Sequence, residues 1–323
     1  MHTFLYPLKF QPILKDKIWG GEKLITNFNK ASNSKKLGES WEISTVPGDI
    51  SMVANGPLKG KTLQELLNEF KAEFLGETNF KRFGKQFPLL IKFIDAKKDL
   101  SIQLHPDDAL AKKRHNSFGK TEMWYVMQAD TDANLIVGFN QKMDKDTYLK
   151  HLEDKTLTKI LNFDNVKTGD TYFIEAGRVH AIGAGVLLAE IQQTSDVTYR
   201  VYDWDRVDES GNERALHNDI AIDAFNFEMK DNFRVDYKKT KNEANTMVSC
   251  PFFTTNYVEL DANCTKKNKH DSFIIYMCVE GKVEISTHTT KTLICKGETI
   301  LIPAAIKDYQ LISNDAKLLE VYI

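Results

Sequence analysis

At 323 residues with 42% hydrophobic side chains, the chain has enough apolar material for one large domain or two ordinary ones. Its 43 Lys plus Arg against 45 Asp plus Glu leave a net charge of -2, which gives no electrostatic basis for a nucleic acid or an anionic membrane surface as partner. No stretch reaches the roughly 18 apolar residues of a membrane span, and no basic start followed by an apolar run opens the chain, so a cytoplasmic protein is expected.

In chain order, Trp19, Gly20 and Gly21 in "WGGEKL" read as a turn packed against the body of the protein. The stretch 62–76 has helical periodicity, with Thr62 placed to cap and Leu63, Leu66, Leu67 and Phe70 forming an apolar stripe. Strands are expected in "PLLIKFIDA" and then in "LSIQL" (100–104). In the latter, Ser101, Gln103 and His105 line one face while Ile102 and Leu104 line the other. Asp107 and Asp108 follow Pro106 and are suited to starting a helix, whose Lys112, Lys113 and Arg114 form a solvated basic face. Further strands are "MWYVMQA" and "NLIVGF", then a charged helix over 144–163, then "DTYFIEAG", "GVLLAEIQQ" and "TYRVYDW". A polar stretch at 231–246 reads as a linker, and "FIIYMCVEG", "KVEIST" and "TILIPA" complete a mainly β chain of barrel or sandwich type. Cys250, Cys264, Cys278 and Cys295 include no C-x-x-C pair, which argues against a zinc knuckle or disulfide framework and predicts buried free thiols.

A faint internal repeat divides the chain. Gly169, Glu175, Gly177 and His180 correspond to Gly297, Pro303, Ala305 and Asp308, and the strand before each also corresponds. Two copies of one β-unit are therefore expected, within domains of 1–235 and 240–323, the first carrying helical segments near 62–85 and 143–163. Ile274 stands near the place of Glu122 in the second copy, so chemistry belongs to the first.

Three segments of that copy contribute metal-type ligands: Gln103 with His105, Glu122, and His180. Any one alone is more simply a hydrogen-bonded residue at a strand end. Together, two imidazoles and a carboxylate with a position left for water or substrate form the pattern of a catalytic zinc, with the Gln oxygen as a fourth contact. His115 is the other histidine close enough in sequence to compete. Glu190 and Gln192 alternate on one strand face and suit either the same cavity or a buried polar pair supporting the barrel.

The spacing of the glycines around the first His, the Glu and the second His resembles the metal motifs of cupin (jelly-roll) barrels. A closer resemblance follows from "GESWEIS", "PLLIKFIDAKKDLSIQLHPDD", "GKTEMWYV" and "AGRVHAIGAGVLLAEIQQTSDVTYRVYDW", which in this order are similar to the type I mannose-6-phosphate isomerases over about the first two thirds of the chain. The resemblance implies two cupin barrels with a small helical insertion, the second barrel without metal ligands. It implies one Zn2+ held by His105, Glu122 and His180 with Gln103 beside it, and an active-site Arg200 and Lys120. The implied reaction interconverts mannose 6-phosphate and fructose 6-phosphate, with a sugar phosphate as the small-molecule partner. Ser101 and Glu190 join Lys120 and Arg200 as substrate-binding candidates. Two departures are visible: Glu175 stands where the cupin pattern often has Pro, and the chain is shorter than large members of the family, so a reduced helical insertion is expected.

Two other classes share the barrel. A cupin oxygenase would use the same ligands for Fe(II), but has no need of cations such as Lys120 and Arg200. A non-catalytic sugar-binding or regulatory cupin has no need of an intact ligand set.

Overall fold

The computed structural model describes residues 5–207 and 210–323. Two antiparallel sheets form the first barrel. One has six strands in the order Ile13–Gly21, Leu37–Ile43, Leu89–Ala96, Val186–Gln193, Glu122–Ala129 and Thr171–Ile174. The other has five, in the order Tyr199–Tyr202, Ile102–Leu104, His180–Ile182, Asn134–Phe139 and Leu161–Asn165. Ile94, Trp124, Val137, Ile174 and Leu188 fill the space between them. A second barrel is built on the long strand Ile274–Ser286, which pairs with Thr299–Ile302, Asp308–Ile312 and Ala316–Tyr322.

The strand Val186–Gln193 is buried along its whole length, and its alternation explains this. Leu187, Ala189 and Ile191 share a core with Tyr257, Ile275, Met277 and Leu319 of the second barrel, while Glu190 and Gln192 point the other way, into the first. The six-stranded sheet is thus an inner wall of the molecule, with one face against the second barrel and the other turned into the first. The five-stranded sheet is covered on its outer side: Ile102, Leu104, Val179 and Tyr199 pack with Tyr148 and Ile160 of the helical insertion and with Phe225 and Phe227 beyond it.

Several expectations are corrected. Trp19, Gly20 and Gly21 are not a turn but the end of the strand Ile13–Gly21, where Gly20 pairs with Ala96. A Cβ on Gly20 would lie 2.3 Å from the Lys36 carbonyl oxygen. The helix expected over 62–76 does begin with a capping box between Thr62 and Glu65, but it ends at Phe70. Lys71 adopts φ of 48°, and the following short helices turn Phe74 and Leu75 into the core. Asp271 of the second barrel accepts from the Glu77 and Thr78 amides and so holds the start of the last of these helices, Glu77–Phe83.

The helix expected over 144–163 stops at Glu153, and Leu161–Asn165 instead pairs with Asn134–Phe139. "FIIYMCVEG" and "KVEIST" belong to one strand, Ile274–Ser286, bent by a bulge between Cys278 and Glu280. Lys266 and Lys267 lie in the strand Cys264–Lys267. The stretch 231–246 is pinned to the first barrel by Arg234 on Asp164 and Tyr172, and by the Tyr237 hydroxyl on the Gly169 carbonyl. All four cysteines are free, but Cys278 alone is buried. No described helix is long and apolar enough to cross a membrane.

Register makes the internal repeat concrete. Glu122 pairs with Ile174 and Ile274 with Ile302, so Ile274 takes the Glu122 place. Glu190 pairs with Trp124 and Lys92, and Glu320 pairs with Tyr276 and Asn256. The second barrel has kept a buried carboxylate bonded by an aromatic side chain and has lost the histidine: Asp308, in the place of His180, is exposed.

Candidate metal centre and its cleft

His105 follows the strand Ile102–Leu104, His180 opens its neighbour His180–Ile182, and Glu122 opens Glu122–Ala129 on the opposite sheet. Their ligand atoms lie within 4.8 Å of one another, and all three residues are buried. His105 Nδ1 is 2.9 Å from the Val197 carbonyl oxygen and His180 Nδ1 is 2.8 Å from that of Arg178. A carbonyl only accepts, so each Nδ1 carries the hydrogen and each Nε2 lone pair faces inward. Glu122 Oε1 is 3.5 Å from His180 Nε2, and Glu122 Oε2 is 3.6 Å from His105 Nε2.

Burial, reinforced by the charge of Lys120, pushes the His105 imidazole well below its ordinary range, and burial lowers His180 to about 4. Both rings are therefore neutral, as metal ligands must be. Burial raises the Glu122 carboxyl to about 7 against the opposing pull of Lys120. The donor set fits a divalent first-row metal. Among the described residues, His180 Nε2 and Glu122 Oε2 are buried without a hydrogen-bond partner, a state that costs each group about 1–3 kcal/mol unless something satisfies it.

Lys120 stands between this cluster and solvent. Its Nζ donates to His105 Nε2 at 3.0 Å and lies 3.1 Å from Glu122 Oε2, close enough to pair but not aligned for a hydrogen bond. On the outer side Lys120 lines a cleft of about 260 Å³ together with Ser101, Gln103, Glu190 and Arg200. All four are sequence-predicted site residues. Gln103 is cross-strand neighbour to both His180 and Arg200. Arg200 donates to the Ser101 hydroxyl at 3.3 Å and to the Ala215 carbonyl at 2.8 Å.

Other candidates separate. His115 bonds the Tyr199 hydroxyl rather than joining the cluster. Gln192 spends its amide on the Gln193 and Ser195 carbonyls, which leaves it a supporting role. Asp107 caps its helix as expected. Glu175 pairs with Arg178 and Lys230.

Sequence reasoning found Glu190 but missed the charged wall around it, Lys92, Glu39 and Lys17. Glu190 accepts from the Trp124 indole at 2.9 Å and pairs with Lys92 at 3.0 Å. Glu39 accepts from the Trp41 indole at 2.6 Å and pairs with Lys17. Burial would raise both carboxyls, but the lysines outweigh it and hold them below the ordinary range. A signal was present: Lys92 is the one charged side chain between Leu89 and Ile94 in an otherwise apolar strand, and it shares the inward face with Ile94.

A jelly-roll barrel with a buried two-histidine, one-carboxylate cluster under a cleft defines a protein of the cupin class. Residues 7–138 match the family model for the phosphomannose isomerase type I catalytic domain, and residues 243–323 that for the mannose-6-phosphate isomerase cupin domain. The chain is 36% identical to a mannose-6-phosphate isomerase of Streptococcus mutans over 310 residues, covering 94% of each, and 33% identical to the mannose-6-phosphate isomerase ManA of Bacillus subtilis over 94% of this chain and 95% of that one. Among solved structures, a mannose 6-phosphate isomerase from Bacillus subtilis aligns with a TM-score of 0.89 at 32% identity, covering 99% of this chain and 100% of that one. A mutant phosphomannose isomerase from Salmonella typhimurium has the same fold at 16% identity, with a TM-score of 0.78 over 98% and 99% of the two chains. The chain belongs to the type I phosphomannose isomerases.

Proposed function

We propose that this chain is a zinc-dependent aldose-ketose isomerase that interconverts mannose 6-phosphate and fructose 6-phosphate through an enediolate. The observation that carries the reading is the buried His105–Glu122–His180 cluster in contact with Lys120, which with Arg200 lines a cleft. The names of the relatives support the substrate and the reaction. His105, Glu122 and His180, with Gln103 at the cleft surface, would hold the metal. When bound, the metal supplies a Lewis acid that polarises the sugar carbonyl.

The remaining work falls to the chain. Moving a proton between C1 and C2 needs groups that hold it near those carbons, and two such groups reach the cleft. One is Lys120 Nζ. The other is Glu190, kept ionised by Lys92 and Lys120. The Arg200 guanidinium, steadied by Ser101, provides a planar fork for phosphate oxygens. The cationic lining fits a phosphorylated substrate and gives no reason for an apolar oxygenase substrate. In this reading residues 1–235 form the catalytic unit of a cytoplasmic enzyme, and residues 240–323 form a second barrel that buries the outer face of the first one's inner sheet.

The test is to assay fructose 6-phosphate formation from mannose 6-phosphate before chelation, after it, and after zinc is restored. Loss on chelation and recovery with zinc is the expected result. A metal-loaded protein that yields no product overturns the isomerase assignment.

A further inference from the structure

The strand that carries Arg200 ends in a tight corner. Trp204 and Asp205 both adopt left-handed backbone, with φ of 60° and 52°, and the chain returns so that Val207 bridges to Glu213. At this corner Asp203 is almost fully buried. Its carboxylate takes a two-pronged contact from Arg214, through Nε at 2.7 Å and through Nη2, and a further one from Arg206. Arg206 is otherwise spent on the Asp99 and Asp203 carbonyls. Arg214 is different: it lines the same cleft as Lys120 and Arg200, and among the described residues its Nη1 has no hydrogen-bond partner.

The charges of the cleft point to a ligand. Glu39 and Glu190 are matched by Lys17 and Lys92. With Lys120 set against Glu122 and one carboxylate, Asp203, shared by Arg206 and Arg214, the described residues of this wall leave Arg200, Arg206 and Arg214 against Asp196 and Asp203, an excess of one positive charge. A phosphate monoester carries about -1.5 to -2 at neutral pH. Arg200 and Arg214 crowd each other at the same wall, since the Arg200 guanidinium reaches the carbonyl of Ala215, next to Arg214 in the chain. Two like charges held this close by a rigid scaffold are relieved by an anion placed between them.

We propose that Arg214 is a second phosphate-recognising residue of the cleft, with Asp203 as the positioning residue that aims it, and that the pair Arg200 and Arg214 sets the preference for phosphorylated sugars. This rests on the sugar-phosphate reading above, and it adds a residue outside the motifs that carried that reading. Because the phosphate is remote from C1 and C2, the contribution belongs to substrate binding more than to the chemical step.

The test compares wild type, Arg214→Ala and Arg214→Lys in the metal-loaded protein. Two readouts are taken: steady-state kinetics with mannose 6-phosphate, and calorimetric binding of inorganic phosphate. Arg214→Ala should raise KM about tenfold or more with kcat changed by less than about threefold, and should weaken inorganic phosphate by a similar factor, in line with the loss of a charge-assisted hydrogen bond. Arg214→Lys should fall between the two, since it keeps the charge and loses the fork. Asp203→Asn should reproduce the KM effect in part while circular dichroism stays native. Unchanged KM and unchanged phosphate binding in Arg214→Ala overturn the proposal. Wild type that binds phosphate through Arg214 but turns over no mannose 6-phosphate overturns the substrate reading instead, so the two failures are distinguishable.

Discussion

His105 shows how a single side chain is constrained from two directions. Its Nδ1 is committed to the Val197 carbonyl, so the neutral ring can offer its Nε2 lone pair inward, and Ile102 and Leu104 pack behind its strand. His105→Ala removes one of three buried donors without touching that packing. The purified variant should retain native circular dichroism and less than about a tenth of the wild-type metal content, as expected when a ligand itself is lost; full metal content by elemental analysis would rule out a ligand role. Arg200 acts at the other end of the cleft. Arg200→Ala should leave metal content intact and lower kcat/KM by a factor on the order of 100, the scale of a lost electrostatic stabiliser. Unaltered kinetics would reduce it to the partner of Ser101 and Ala215 that the structure already shows.

At the level of elements, the strand Leu89–Ala96 places the Lys92 ammonium between Glu190 and Glu39, which it stabilises in their ionised forms. Lys92→Met keeps the volume and removes the charge, leaving two buried carboxylates short of a partner. Breaking a buried pair in this way typically costs about 3–5 kcal/mol. The pH dependence has a definite sign. In the wild type the two glutamates are held below their ordinary value of 4.5, so their contribution to stability is present above that pH and is lost as pH falls through the lowered values. In the variant, burial acts with less opposition and their values rise, so folding then favours the protonated forms. The stability gap measured by denaturant unfolding should be widest above about pH 4.5 and narrow on acidification. A gap that is constant with pH would mean that Lys92 contributes packing alone.

Across the whole molecule, the second barrel has lost the cluster but still supplies a surface the first cannot do without. Met123, Tyr125, Leu187, Ala189 and Ile191 are covered by Tyr257, Ile275, Met277 and Leu319. Ending the chain at residue 240 would bare this apolar face, and the truncated protein is expected to aggregate or to unfold at least 10 °C below the full chain. A soluble fragment with native stability by differential scanning calorimetry would show that the interface is dispensable.

What the sequence determined by itself is the local chemistry. Alternation put Gln103 and His105 on one face, Thr62 and Glu65 specified a cap, Asp107 started a helix, and the repeat from Gly169 to Gly297 announced two barrels, because each of these depends on residues within a few positions of one another or on a pattern kept between copies. Only tertiary structure decided the rest. One helix stopped at Phe70, where Lys71 takes a positive φ, and another at Glu153, beyond which Leu161–Asn165 joins the sheet edge at Asn134–Phe139. Lys92, Glu39 and Arg214 became cleft residues because strands and a corner far apart in sequence converge on one wall. Periodicity reports which face a side chain takes, whereas the partner that makes a buried charge tolerable is chosen by the fold.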